Sequence, residues 1–263
     1  MMRCNQCNTE LQVGKSKCHF CGHTNIAEEF GDNEVLTLDK IEPSDVQRID
    51  SGICNEVWGG GIVPDSVTLL GGSPGAGKST LCLQLGSNLG DVLYIASEEN
   101  PGQIKARANR IGITNQEYIR IMPVKEDGAI RAAIERYQPD AVIVDSLSGL
   151  YGDKFEPARE FIKLLKEYAE KARSPIILID HVTKDLEFAG RMALQHLVDA
   201  TITIFPSRVG ELSSSLFGPQ VKAEEEDRTI MAMKNRHGPA FCKMILCMTP
   251  TGLTVKLPGE RKE

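Results

Sequence analysis

The run Leu69 to Thr80, LLGGSPGAGKST, constrains this chain more than any other segment. From Gly72 to Ser79 it fits the pattern G-x-x-x-x-G-K-[ST], in which an apolar strand turns through glycines into a helix. Each residue type has a task. Gly72, Gly75 and Gly77 let the backbone curl so that its N–H groups face inward, where side chains would obstruct an anion. Ser73, Pro74 and Ala76 complete the curl, and the helix that follows adds its positive end. Lys78 is placed to reach the β- and γ-phosphates of a nucleoside triphosphate, and the Ser79 hydroxyl, followed by Thr80, to ligate Mg²⁺. The flanks agree with this reading. Val67 to Leu70 reads as a buried strand, and Ser79 to Leu85 as a helix with Leu81 and Leu85 on one face.

With 263 residues the chain can hold one large core and a small appendage. Its formal net charge of -6 weighs against a continuous basic groove on one subunit, though not against a local basic patch in an assembly. No apolar run is long enough to span a bilayer, and MMRCNQC has no apolar leader core. The expectation is a soluble cytoplasmic protein without a membrane partner. Of the eight cysteines, Cys54, Cys82, Cys242 and Cys247 lie mostly in apolar context, as buried thiols do in a reducing compartment.

The other four are spaced differently. Cys4-x-x-Cys7 and Cys18-x-x-Cys21 form two knuckles that suit a closed tetrahedral Zn²⁺ site of four thiolates. So short a segment cannot build a sufficient core, and metal binding would supply its folding energy. Redox chemistry of CxxC pairs is the competing use, and His19 and His23 read as spectators because the cysteines already fill the shell. The expected organisation is a zinc finger over 1–27, an acidic linker over 28–48 and a main domain over 49–257. A short tail covers 258–263.

In the main domain, strand candidates alternate with helices: Ser66–Leu70, Asp91–Ala96, Tyr118–Met122, Ala141–Val144 and Pro175–Ile179, with helices over Asp127–Tyr137 and Pro157–Lys171. Continuous apolar strands separated by helices predict an α/β fold with a mostly parallel sheet. Ligands then sit at the carboxyl ends of the strands. Asp145, closing one strand, is the natural second carboxylate beside the magnesium. Glu98, at the end of another, is placed to orient or deprotonate an attacking water, with Glu99 as its rival. His181 ends the last central strand, beside the expected γ-phosphate. Lys234 and Arg236, two apart at the end of MAMK, would share one face of an extended strand and could jointly face a phosphate.

Together these segments resemble the RecA-type ATPases, and within them the RadA (Sms) family of bacterial DNA-repair and recombination ATPases. CNQC…CHFCG resembles that family's zinc finger, and SGICNEVWGGGIVPDSVTLLGGSPGAGKST its lead into the phosphate loop. VLYIASEEN and VIVDSLSGL match its two acidic motifs, HVTKD with AG and QHLVD the stretch after the last central strand, and KNRHG its KNRFG signature. The resemblance implies a RecA-like core behind a zinc-ribbon-like module, and an ATP-hydrolysing, DNA-stimulated hexameric ring with nucleotide between subunits. Such a ring would move on single-stranded or branched DNA during repair and recombination. It further implies that Lys78, Ser79, Glu98 and Asp145 belong to one side of the site and Lys234 and Arg236 to the interface with a neighbour's nucleotide. Lys184, in HVTKD, is a further candidate for a phosphate contact.

Three departures qualify what is carried over. Family members continue into a domain resembling the Lon protease, whereas this chain ends soon after FCKMILCMTPTGLTVKL, so that DNA affinity and ring stability would be weaker or supplied by a partner. The phenylalanine of KNRFG is His237 here. An extra stretch over 206–227 reads as an exposed mobile loop. Two other functions remain open at this level. One is an accessory ATPase or nucleotide-gated adaptor that docks on a helicase or recombinase through the zinc module. The other is a regulatory switch of the clock-protein type, which would share the phosphate loop but not the zinc finger or KNRHG.

Overall fold

A computed structural model describes residues 45–124, 126–181, 192–207 and 227–256, and three short strands ahead of them. The chain divides into two compact units, Met1–Asp45 and Val46–Glu263. In the first, β1 (Met2–Cys4), β2 (Glu10–Leu11) and β3 (Ile26–Glu28) form an antiparallel sheet in the order β2-β1-β3. Cys4 closes β1; its side chain, and Cys7, Cys18 and Cys21, lie outside the described residues, as do Lys184, 208–226 and the tail.

The second unit runs β4 (Val67–Gly72), α1 (Lys78–Gly86), β5 (Val92–Ala96), α2 (Pro101–Arg110), β6 (Ile119–Pro123) and α3 (Asp127–Tyr137). It continues through β7 (Ala141–Asp145), α4 (Leu147–Tyr151), α5 (Phe155–Ala172), β8 (Ile176–His181) and β9 (Ala200–Pro206). Three further strands follow, β10 (Asp227–Asn235), β11 (Lys243–Thr249) and β12 (Gly252–Val255). The sheet has nine strands in the order β12-β11-β10-β9-β4-β8-β7-β5-β6. The six from β9 to β6 are parallel, and β10, β11 and β12 extend the sheet antiparallel. This is the expected P-loop architecture.

Every residue of β4, β5 and β7 is buried because both faces of the sheet are covered. On one face Leu81, Leu85 and Ile104 of α1 and α2 pack with Leu70, Tyr94 and Ile179. On the other, Ile130, Phe161 and Leu165 of α3 and α5 pack with Leu69, Val142 and Leu178. Helix α2 starts sharply: Asn100 and Gln103 close a reciprocal capping box and Pro101 occupies the first turn. Burying strands this completely fixes their ends, and the carboxyl ends of β4, β5, β7 and β8 meet along one edge. Among the described residues no helix is long and apolar enough to cross a membrane.

Candidate active site

The phosphate loop begins where β4 runs out between β8 and β9, with Gly72 opposite both His181 and Ile204. A Cβ at Gly72 would lie 2.4 Å from the Ile204 carbonyl oxygen, so the β9 backbone itself excludes a side chain there. Gly77, at φ 104°, turns the loop into α1 and accepts the Leu81 N–H at 2.8 Å. Lys78 folds back into the loop it follows. Its ammonium donates to Gly72 O at 2.7 Å and Ser73 O at 3.1 Å, and lies 3.4 Å from His181 Nδ1. Burial pulls Lys78 below its ordinary value, while the Asp145 and Glu98 carboxylates act the other way. The cation is thus desolvated and held at the mouth of an anion cradle.

Asp145 closes β7 beside it. Its carboxylate accepts a hydrogen bond from the Tyr94 hydroxyl, 2.5 Å from Oδ2, and another from the Ser79 hydroxyl. Burial raises the Asp145 carboxyl, and these two donors pull it back. The Ser79 hydroxyl and the Asp145 carboxylate are hard oxygen donors beside one another at the loop, the donor set that Mg²⁺ prefers. The residues present therefore fit a magnesium–triphosphate. Tyr94 escaped the sequence reading; its signal was a lone phenol within the aliphatic strand VLYIA.

Glu98 and Glu99 follow β5 and part company. Glu99 forms a two-armed pair with Arg107 of α2, at 2.6 and 2.7 Å. Glu98 turns to the loop, where Oε1 lies 3.3 Å from His181 Nε2 and accepts a hydrogen bond from Ser146 Oγ. His181 therefore stands between Lys78 and Glu98. An ammonium has no lone pair, so His181 Nδ1 accepts from Lys78, and Nε2 carries the hydrogen that faces Glu98. Lys78, Ser79, Glu98, Asp145 and His181 are all brought together.

Lys234 and Arg236 are not. The register of β10 slips between Ala232 and Lys234, ahead of both cations, and just past the strand's end at Asn235 the Arg236 N–H donates to Asp199 O at 3.0 Å. Lys234 Nζ donates to Gln195 O at 2.8 Å and Val198 O at 2.7 Å. Arg236 pairs with Asp199 Oδ1 at 3.1 Å, as does Lys166 at 2.9 Å. Burial opposes charge on Asp199, yet the Val67 N–H, Lys166 and Arg236 hold its carboxyl below the usual range. Val67 is the first residue of β4 and Gly72 the last. Five strand steps of about 3.3 Å put the Arg236 cluster roughly 17 Å from the phosphate loop of the same chain.

A family model described as an AAA domain matches residues 53–187, half of the chain, including every residue that converges at the loop. DNA repair protein RadA of Bacillus subtilis is 33% identical over 98% of this chain and 60% of its own length. RadA of Halalkalibacterium halodurans is 31% identical over the same shares, and that of Streptococcus pneumoniae 40% identical over 56% of this chain. The chain spans about 60% of the length of the first two curated relatives. A KaiC-like protein from Pyrococcus horikoshii superposes with a TM-score of 0.63 at 18% identity, covering 81% of this chain and all of that one, a likeness of fold. The chain belongs to the AAA domain family and is, within it, a relative of the DNA repair protein RadA.

Proposed function

We propose that this chain is a magnesium-dependent ATPase of the RadA type, working on DNA as a ring whose sites lie between subunits. The observation that carries the reading is the meeting of Lys78, Ser79, Asp145, Glu98 and His181 at the ends of four neighbouring strands. Magnesium, when bound between Ser79 and Asp145, neutralises charge on the phosphates. The inward N–H groups of Gly72 to Ser79 hold the β-phosphate, and Lys78 exchanges its carbonyl partners for phosphate oxygens. Glu98 orients the attacking water and accepts its proton on the carboxylate. His181, with one nitrogen towards Lys78 and the other towards Glu98, reports the arrival of the terminal phosphate to the base. Lys234 and Arg236, too far to reach their own loop, act on a neighbour's nucleotide.

The test is ATP turnover at low salt with and without single-stranded and branched DNA. Turnover is expected to rise on adding DNA, and Lys78→Ala to abolish it. Turnover that DNA leaves unchanged removes the DNA-dependent part and favours an adaptor that docks on a helicase or recombinase. Turnover that survives Lys78→Ala removes the site assignment altogether. The four N-terminal cysteines suit a structural zinc by their number and spacing. Protein purified without chelator is expected to carry one zinc per chain and to lose it on combined Cys4→Ser and Cys7→Ser substitution; metal-free protein ends that assignment.

A further inference from the structure

Helix α4 starts directly behind Asp145, and its first turn touches Glu98 twice. Ser146 is fully buried. Its hydroxyl accepts the Gly149 N–H at 3.0 Å, as the cap of α4, and meets Ser148 Oγ at 2.8 Å. The third partner is Glu98 Oε1. A hydroxyl has one proton, and a carboxylate can only accept. Ser146 must therefore give that proton to Glu98, and Ser148 must donate to Ser146. The backbone beneath is fixed as well: Ser97 Oγ accepts the Ser146 N–H at 2.8 Å and turns its one proton to the carbonyls of Asp145 and Ser146, which lie at 3.1 and 3.0 Å.

The second contact is steric. A Cβ on Gly149 would fall 2.9 Å from Glu98 Cγ and 2.1 Å from Ser97 Oγ. The glutamate stem thus lies against the one residue of this turn that has no side chain. Glu98 is seated from two directions, by a hydroxyl on its carboxylate and by backbone along its stem.

We infer that Ser146 and Gly149 are positioning residues for Glu98, making the first turn of α4 the seat of the catalytic carboxylate. The inference rests on the ATPase reading above. A flexible glutamate beyond a strand end samples several rotamers, and a seat that selects one raises the fraction in line with the water. His181 supplies the other donor, so loss of Ser146 leaves Glu98 present but less often aimed. The effect belongs to kcat.

Ser146→Ala is expected to lower kcat about tenfold, with KM and the affinity for a fluorescent ATP analogue unchanged within about twofold. Because a lost helix cap could act on its own, the deciding measurement is a cycle with Glu98→Gln, read by single-turnover hydrolysis. If Ser146 works through Glu98, Ser146→Ala costs nothing further once Glu98 is Gln. Losses that multiply in the double variant, or turnover within twofold of wild type in Ser146→Ala, overturn the inference. Should Ser146→Ala fail to fold, Gly149→Ala keeps the hydroxyl and crowds the glutamate stem. The same fall in kcat, absent in the Glu98→Gln background, is then expected, and a Gly149→Ala protein of normal kcat overturns it. Wild-type protein no faster than Lys78→Ala would defeat the ATPase reading and this one with it. Active wild type with an unimpaired Ser146→Ala defeats this one alone.

Discussion

Tyr94 is fully buried, and its hydroxyl donates to Asp145 Oδ2. Burial lifts its phenol well above the ordinary value, so the hydroxyl remains a donor at any working pH. Asp145 in turn is raised by burial and held back by Tyr94 and Ser79. Ser79 would exchange that bond for a metal, whereas Tyr94 would not. The phenol therefore fixes one carboxylate oxygen and leaves the other side to magnesium, the orienting role of a partner behind a metal ligand. Tyr94→Phe keeps the ring in the core and removes only this donor. It is expected to weaken Mg²⁺ about tenfold while leaving nucleotide affinity in EDTA unchanged. Titrating Mg²⁺ into protein holding a fluorescent nucleotide measures the first, and direct binding in EDTA the second. An unaltered Mg²⁺ midpoint would mean that Tyr94 only fills space.

The elements were legible where one-dimensional pattern and packing say the same thing. A strand covered on both faces is apolar at every position, and so AVIV and PIILI predict β7 and β8 to within two residues. The helix at Asp127–Tyr137 has the predicted bounds. What the pattern left out was the partners: Lys234 and Arg236 both follow the slip after Ala232 and bond to Gln195, Val198 and Asp199 rather than to the loop. Nor does spacing disclose Asp199, whose partners Lys166 and Arg236 stand 33 and 37 residues away in sequence and are assembled only by the fold. The choice between Glu98 and Glu99 was open for a similar reason. Adjacent residues at a strand end point apart, and which one enters the site depends on Arg107, in the last turn of the next helix, capturing Glu99. Ser146 sat within a quoted acidic motif, but a hydroxyl after an aspartate has many uses, and its donation to Glu98 exists only because β5 and β7 are neighbours.

At the scale of the whole molecule, the phosphate loop and Arg236 sit at opposite ends of one strand. The phosphate loop lies at the carboxyl end of β4, and Arg236, through Asp199, is tied to the amino end. No rotamer of an arginine spans the roughly 17 Å that five strand steps separate. If Arg236 acts on a nucleotide, it acts on another chain's, and a head-to-tail contact of that kind gives a ring where its rotation closes and a filament where it does not. The consequence can be measured with two inactive proteins. Lys78→Ala keeps its basic cluster but has a dead loop. Arg236→Ala keeps its loop, and because the guanidinium is half exposed the substitution should cost little stability. Each alone is expected to turn over ATP at background rate. In an equal mixture, allowed to exchange subunits, an intact loop faces an intact Arg236 at about a quarter of the junctions, so turnover should recover to about a quarter of wild type if sites act independently. Mass measurement with Mg·ATP shows whether mixed assemblies have formed. Mixed rings that stay inactive, or a wild-type chain that is monomeric while fully active, would place the whole site within one subunit and leave Arg236 a structural partner of Asp199.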